Sequence, residues 1–166
     1  MKTYLSILTL LFSTFFVQAQ MTNDRLKEIL TQEVDSIDGY SGRWQMKLKD
    51  LPMIVLTDER NDRMRIIAPI IESSRLDEEL LLDCMTANFH SALDVKYAIS
   101  DGILWSVYIH PLSPLSDEQV RNAVEQVFLA AATFGTSFSS TPLLFGGGSA
   151  EQNQPAKKDS LVFKKT

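Results

Sequence analysis

The stretch that decides the fold is Val95-Lys96-Tyr97-Ala98-Ile99-Ser100-Asp101-Gly102-Ile103-Leu104-Trp105-Ser106-Val107-Tyr108-Ile109. On both sides of Asp101-Gly102 apolar residues recur at every second position, the mark of two half-buried strands joined by a tight turn. A two-residue Asp101-Gly102 loop sets Ile99 opposite Leu104 and turns Val95, Tyr97 and Ile99 away from Ile103, Trp105, Val107 and Ile109. A three-residue loop, Ser100-Asp101-Gly102, pairs Ile99 with Ile103 and gathers all seven apolar residues on one face. It also puts Gly102 where such loops need a left-handed residue, so the three-residue loop is expected.

Upstream, Arg43 to Leu48 alternates in the same way, with Trp44, Met46 and Leu48 on one side and Arg43, Gln45 and Lys47 on the other. Pro52 separates this strand from Met53-Ile54-Val55-Leu56, and the polar run Thr57 to Asp62 turns the chain into a third strand, Arg63 to Ile71. There Met64, Ile66, Ala68 and Ile70 share a face, while Pro69, lacking an N–H, marks an edge or a strand end.

Three helices frame these strands. Leu26, Ile29, Leu30 and Val34 recur at spacings of three and four between Asn23 and Ser36, and Gly39-Tyr40-Ser41-Gly42 then breaks the pattern. Ser74-x-x-Asp77 has the spacing of a capping box and precedes Leu81, Met85, Asn88/Phe89 and Ala92, which define the apolar face of a second helix. Asn88 lies on or beside that face, where a buried amide needs partners, so it is expected to tie the helix end to the backbone of the neighbouring strand. Ser116-x-x-Gln119 caps the third helix, with Leu115 and Val120 as a hydrophobic staple. Val120, Val124, Val127, Ala131, Phe134 and Phe138 continue its stripe, and Gly135 ends it or lies in its last turn. The order α-β-β-β-α-β-β-α predicts an α+β domain, an antiparallel sheet of about five strands with three packed helices.

That order resembles the type III secretion chaperone-like fold, which includes the YbjN-type sensory-regulator domains. The likeness rests on Leu81-Leu82 followed by Asn88, Tyr97-Ala98-Ile99 and Asp101-Gly102 before Leu104, then Pro111 and Leu115-Ser116 with Glu118. It spans Leu26 to Phe138, 113 of the 166 positions. It implies a non-enzymatic protein-binding module that often pairs with itself. Those chaperones work in the cytoplasm, whereas the start of this chain reads as an export signal.

Lys2 precedes an apolar run of 13 residues, Leu5 to Val17, broken only by Ser and Thr, and Val17-Gln18-Ala19 places small residues before Gln20. This is the layout of a secretory signal peptide cleaved after Ala19, and the run is short for a membrane-spanning helix. Residues 1–19 are therefore expected to direct export to the periplasm or beyond, and no later segment offers a membrane span. Residues 20–141 are expected to form the domain. From Pro142 the composition turns to Gly146-Gly147-Gly148-Ser149 and a Gln-, Asn- and Lys-rich stretch, read as a flexible tail over 142–166. Within it Ser160-Leu161-Val162-Phe163 reads either as a few apolar residues in a disordered end or as a strand that adds to a sheet edge.

Without Lys2 the chain holds 15 Lys and Arg against 21 Asp and Glu, a net charge of −6. Such a balance is poorly suited to neutralising phosphates, which sets nucleic acid aside. Cys84 is the lone cysteine and excludes an intramolecular disulfide. Six residues separate it from His90, about 600° around a helix, so the two do not meet locally. His90 and His110 lack any zinc spacing, and Gly146 to Gly148 lacks the Lys-Ser/Thr of a phosphate loop. No catalytic residue, metal ligand or cofactor is assigned.

The best functional hint is the division of charge. The three helical segments hold 11 acids against 4 bases, whereas the strands carry Arg43, Lys47, Arg63, Arg65 and Lys96, with Glu72 just beyond them. Most of these five alternate away from the apolar side, which predicts a basic outer sheet face, with Tyr108 and His110 on the same side. Its occupant is expected to be a protein partner, acidic or extended, contacted by Arg43, Trp44, Arg63, Arg65, Lys96 and Tyr108. Self-pairing through the third helix, where Phe134 and Phe138 extend the stripe, or through a sheet edge, is a further expectation. The competing reading is a small-ligand binder or enzyme with a pocket between sheet and helices that uses His90 or His110.

Overall fold

In the computed structural model, residues 20–141 are described; the expected signal peptide and the expected tail, with its Ser160–Phe163 island, lie outside the described residues. Three helices, α1 (Asn23–Glu33), α2 (Glu78–His90) and α3 (Asp117–Ala132), accompany six strands: β1 (Ser36–Tyr40), β2 (Arg43–Leu48), β3 (Leu51–Asp58), β4 (Arg63–Glu72), β5 (Lys96–Ser100) and β6 (Ile103–His110). The strands form one antiparallel sheet in the order β1-β2-β3-β4-β6-β5. The class is the expected α+β, with one strand more.

That strand is β1. Ser36-Ile37-Asp38-Gly39-Tyr40 shows no apolar alternation because only Ile37 is even partly covered. Gly39 makes its pairing with β2 possible: φ is +124°, and a Cβ there would stand 2.4 Å from the Arg43 carbonyl oxygen.

The β5–β6 turn corrects the expected loop. Ser100 pairs with Ile103, Ile99 with Leu104 and Tyr97 with Ser106, so the loop is the two-residue Asp101-Gly102. Both loop residues have positive φ, 51° and 74°, as a turn that follows the strand twist requires. A three-residue loop would follow only if every apolar stripe belonged in one core. Instead, Leu104, Ser106 and Tyr108 face the helices, and Ile103, Trp105, Val107 and Ile109 face the other way. Pro69 marks a local edge rather than the end of its strand. It sits within β4 but beyond Ile67, the last residue paired with β3, so it has a partner only on the β6 side, where the register shifts between Pro69 and Ile71.

The core lies between the inner sheet face and the helices, with Trp44, Met53, Val55, Met64, Ile66 and Leu104 fully enclosed under Leu26, Ile29, Leu30, Val120 and Val124. α3 lies on β4 and β6. Ser106 Oγ donates to the Val127 carbonyl at 3.0 Å, and the Tyr97 hydroxyl donates to that of Ala130 at 2.8 Å. The capping box of α3 forms as expected: Gln119 N–H donates to Ser116 Oγ (3.2 Å), and Ser116 N–H to Gln119 Oε1 (2.8 Å). α3 ends at Ala132, before Gly135, so Phe138 is not on the helix; both Phe134 and Phe138 pack their rings on Tyr97, at 6.3 and 6.0 Å. Both rings are half-buried against the core rather than fully enclosed.

α2 begins later than expected, because Asp77 rather than Ser74 accepts from Leu80 N–H at 2.8 Å, and Ser73–Arg75 forms a separate 3-10 turn. Its buried side also differs. Cys84 and Ala87 face the protein, whereas Leu81, Leu82, Met85 and Phe89 are exposed. Asn88 explains the rotation: its amide donates to the Tyr97 carbonyl (3.1 Å) and accepts from Tyr97 N–H (2.7 Å), holding α2 by a small-residue face against the edge of β5. The expected role of Asn88 is the observed one.

Candidate functional site

Strand register sorts the expected site residues onto two faces. Tyr40 pairs with Arg43, Arg43 with Leu56, Leu56 with Arg65 and Arg65 with Ile109. A second row runs from Gln45 through Ile54 and Ile67 to Val107. These rows stand on the outer face, away from the helices. Its centre is apolar, with Ile54, Leu56, Ile67, Trp105 and Val107 half-buried by one another and Ile109 57% exposed. Arg43, Lys47, Arg63 and Arg65 are exposed around this centre, and none of them forms an ion pair among the described residues. Asp38 and Asp58 are acids on the same face; Asp58 accepts two hydrogen bonds from Asn61, which hold its carboxyl below the usual range. A groove of about 380 Å³ at the β1–β3 end has Gln45, Lys47, Pro52, Ile54 and Pro69 among its walls.

Two expected contacts fall elsewhere. Trp44, 1% exposed, belongs to the core, as its alternation with Arg43 requires. Tyr108 and His110 face the helices, because the two-residue loop shifts β6 by one position relative to the expected pairing. Lys96, opposite Val107, continues the second row on the outer face at the β5 edge, but its ammonium is held by the carbonyls of Asn88 (2.8 Å) and Leu93. The sequence reading missed Tyr40, 68% exposed beside Arg43, and the whole apolar centre. The signal for the latter was present: β4 and β6 carry apolar residues on both faces.

A second concavity, of about 580 Å³, lies where β6 meets the start of α3, with Asp94, Lys96, Tyr108, His110, Glu118 and Asn122 among its walls. His110 stacks on Tyr108 at 6.0 Å, and its Nδ1–H donates to the Pro111 carbonyl at 2.8 Å, which leaves Nε2 as the acceptor of the neutral ring. Asp94 instead accepts from Gln126 at 3.1 Å. Burial pushes the Tyr108 hydroxyl up from its ordinary value. His90 is exposed on α2 with its ring against Phe89. Cys84 is enclosed, and burial, with Asp83 nearby, raises its thiol to about 11, far from a nucleophile's range. Among the described residues no group of three or more His, Cys, Asp or Glu could hold a metal ion, and no helix is long and apolar enough to cross a membrane.

This fold is similar to that of type III secretion chaperone structures. Two solved structures carry the likeness. One is a chain of the HopA1–SchA chaperone–effector complex, at 11% identity and a TM-score of 0.52, over 66% of this chain and 88% of that one. The other comes from the complex of the Yersinia pestis type III secretion chaperone SycH with a stable fragment of YscM2, at 13% identity and a TM-score of 0.52, over 68% of this chain and 98% of that one. No family model and no curated protein sequence matches the chain.

Proposed function

We propose that this protein is an exported, non-enzymatic chaperone-like or adaptor module that receives an extended, acidic segment of another protein on the outer face of its sheet. The observation that carries this reading is an apolar centre bordered by Arg43, Lys47, Arg63 and Arg65, none of them ion-paired among the described residues. Apolar side chains of an extended partner gain from covering Ile54, Leu56, Ile67 and Ile109, while its carboxylates meet the guanidinium rim and set orientation and on-rate. The likeness to chaperones supports it: SycH is seen with a fragment of YscM2, and SchA with HopA1. Export to the periplasm or the exterior rests on residues 1–19, and amino-terminal sequencing of the mature protein that begins anywhere but Gln20 overturns it.

The experiment is binding of fluorescent 15-residue peptides, acidic-apolar and basic-apolar, to the full-length protein and to its Arg63→Ser/Arg65→Ser variant. Acidic peptides are expected to bind, to weaken with salt, and to lose on the order of tenfold in the variant. Equal binding of both peptide classes, or of protein and variant, overturns the reading. The second reading, a small-ligand site, is favoured by the 580 Å³ concavity that holds His110, Lys96 and Glu118. It predicts that peptides leave the outer face untouched. Pairing of two copies through the open edge of β1 is part of the proposal, and light scattering that returns the mass of one protomer overturns that part.

A further inference from the structure

α2 is amphipathic in the unusual sense: its small residues, Cys84 and Ala87, face the protein, and its large ones face outward. At 100° per residue, Leu81, Met85, Phe89 and Leu82 fall within one stripe about 100° wide. Phe89 is 82% exposed and Met85 51%. Glu78 stands in line with the stripe at its amino-terminal end, with Glu79 beside it, and neither forms an ion pair among the described residues. The stripe exposes a few hundred Å², short of the roughly 800 Å² per partner that a stable dimer needs but enough for a short peptide. A second copy would bring another acidic helix against it.

We propose that the occupant is the chain's own carboxy-terminal segment, residues 157–165, Lys157-Lys158-Asp159-Ser160-Leu161-Val162-Phe163-Lys164-Lys165. Leu161 and Phe163 stand two apart and cover the stripe, and the lysines on either side meet Glu78 and Glu79. Charge sorts the two surfaces of the molecule. The outer sheet face, with its Arg and Lys rim, repels this segment, and the acidic helix attracts it. The path is short as well. Ser140 is fixed beside the end of α2, its N–H donating to the Ser91 carbonyl (3.1 Å) and its hydroxyl to that of Ala92 (2.8 Å). From Thr141 to Leu161 is 20 residues. Fully extended, that length reaches about 65 Å, well beyond the ~20 Å of the whole of α2. The contact is thus intramolecular, at an effective concentration of the order of millimolar.

Zero-length carbodiimide crosslinking of the full-length protein, mixed in equal parts with its ¹⁵N-labelled form, tests this. Crosslinks are expected between Lys157, Lys158, Lys164 or Lys165 and Glu78 or Glu79, each within one isotopic species. Leu161→Ser/Phe163→Ser is expected to cut their yield on the order of tenfold and to raise binding of an apolar dye. Lys164→Glu/Lys165→Glu is expected to do the same, and Glu78→Lys/Glu79→Lys added to it to restore both. Crosslinks of mixed isotope show a second copy on the stripe and overturn the proposal. So do crosslinks spread evenly over the acidic residues, or dye binding that ignores the Leu161→Ser/Phe163→Ser change. The crosslinks do not involve the outer sheet face, and dye binding is read as the difference between protein and variant, which share that face.

Discussion

Replacing Asn88 by Ala removes the amide that grips both the N–H and the C=O of Tyr97, at 2.7 and 3.1 Å, on the otherwise open edge of β5. Each such hydrogen bond contributes about 1 kcal/mol net, and a polar group left half-covered by α2 costs somewhat more than the bond alone. Asn88 is itself only partly buried, so water recovers a share. The expected loss is about 2 kcal/mol. Asn88→Asp keeps the acceptor but loses the donor and turns a carboxylate oxygen toward the Tyr97 carbonyl, so at neutral pH it is expected to cost at least as much. Urea unfolding followed by circular dichroism gives the free energies, and amide exchange at Tyr97 reports the local contact. A loss below about 0.5 kcal/mol for Asn88→Ala, with Tyr97 exchange unchanged, would falsify the view that this amide fastens α2 to the sheet.

Gly39→Ala is expected to disrupt the β1–β2 pairing, because φ is +124° and the new Cβ meets the Arg43 carbonyl oxygen at 2.4 Å; exchange should speed up in Ser36–Tyr40 while β4 and β6 keep their protection. Asp62 accepts from the Ser113 N–H (2.6 Å) and hydroxyl (3.0 Å), which holds its carboxyl below the usual range. Stability from a depressed carboxylate is present above its unfolded pKa and fades as pH falls through the folded one, so Asp62→Asn should flatten the loss of stability below about pH 4. Cys84, raised to about 11, exposes about one thiolate in a thousand at pH 8 even if reached, so Ellman's reagent should titrate it only on unfolding. Reaction of the native protein at the rate of a free thiol would contradict its burial.

Alternation made most strands legible, and side-chain chemistry made the caps legible: the Ser116/Gln119 box and the Asn88 tie are local pairings of residue types that need each other. β1 was not legible because an edge strand with one partly covered residue has no face to pattern. The hairpin register was misjudged for a related reason. Counting apolar residues toward one core ignores that Ile103, Trp105, Val107 and Ile109 serve a second, outward face, and turn chemistry at Asp101-Gly102 was the better guide. That slip of one position carried Tyr108 and His110 to the wrong side. The basic residues were placed correctly on Arg43, Lys47, Arg63 and Arg65, because each alternates with a strongly buried neighbour such as Trp44 or Met64. On α2, helical spacing found the stripe but not its direction, since periodicity says which residues share a face and not whether that face is covered.

The most direct test of the docking face is a titration of methyl-labelled protein with the tightest acidic peptide, followed by NMR. Binding on the outer sheet face predicts shifts at Ile54, Leu56, Ile67, Val107 and Ile109, with Leu93 beside the His110 concavity and Met85 on α2 unmoved. Shifts confined to Leu93 and its neighbours, with the outer-face methyls silent, would contradict it and place the ligand between the sheet and α3.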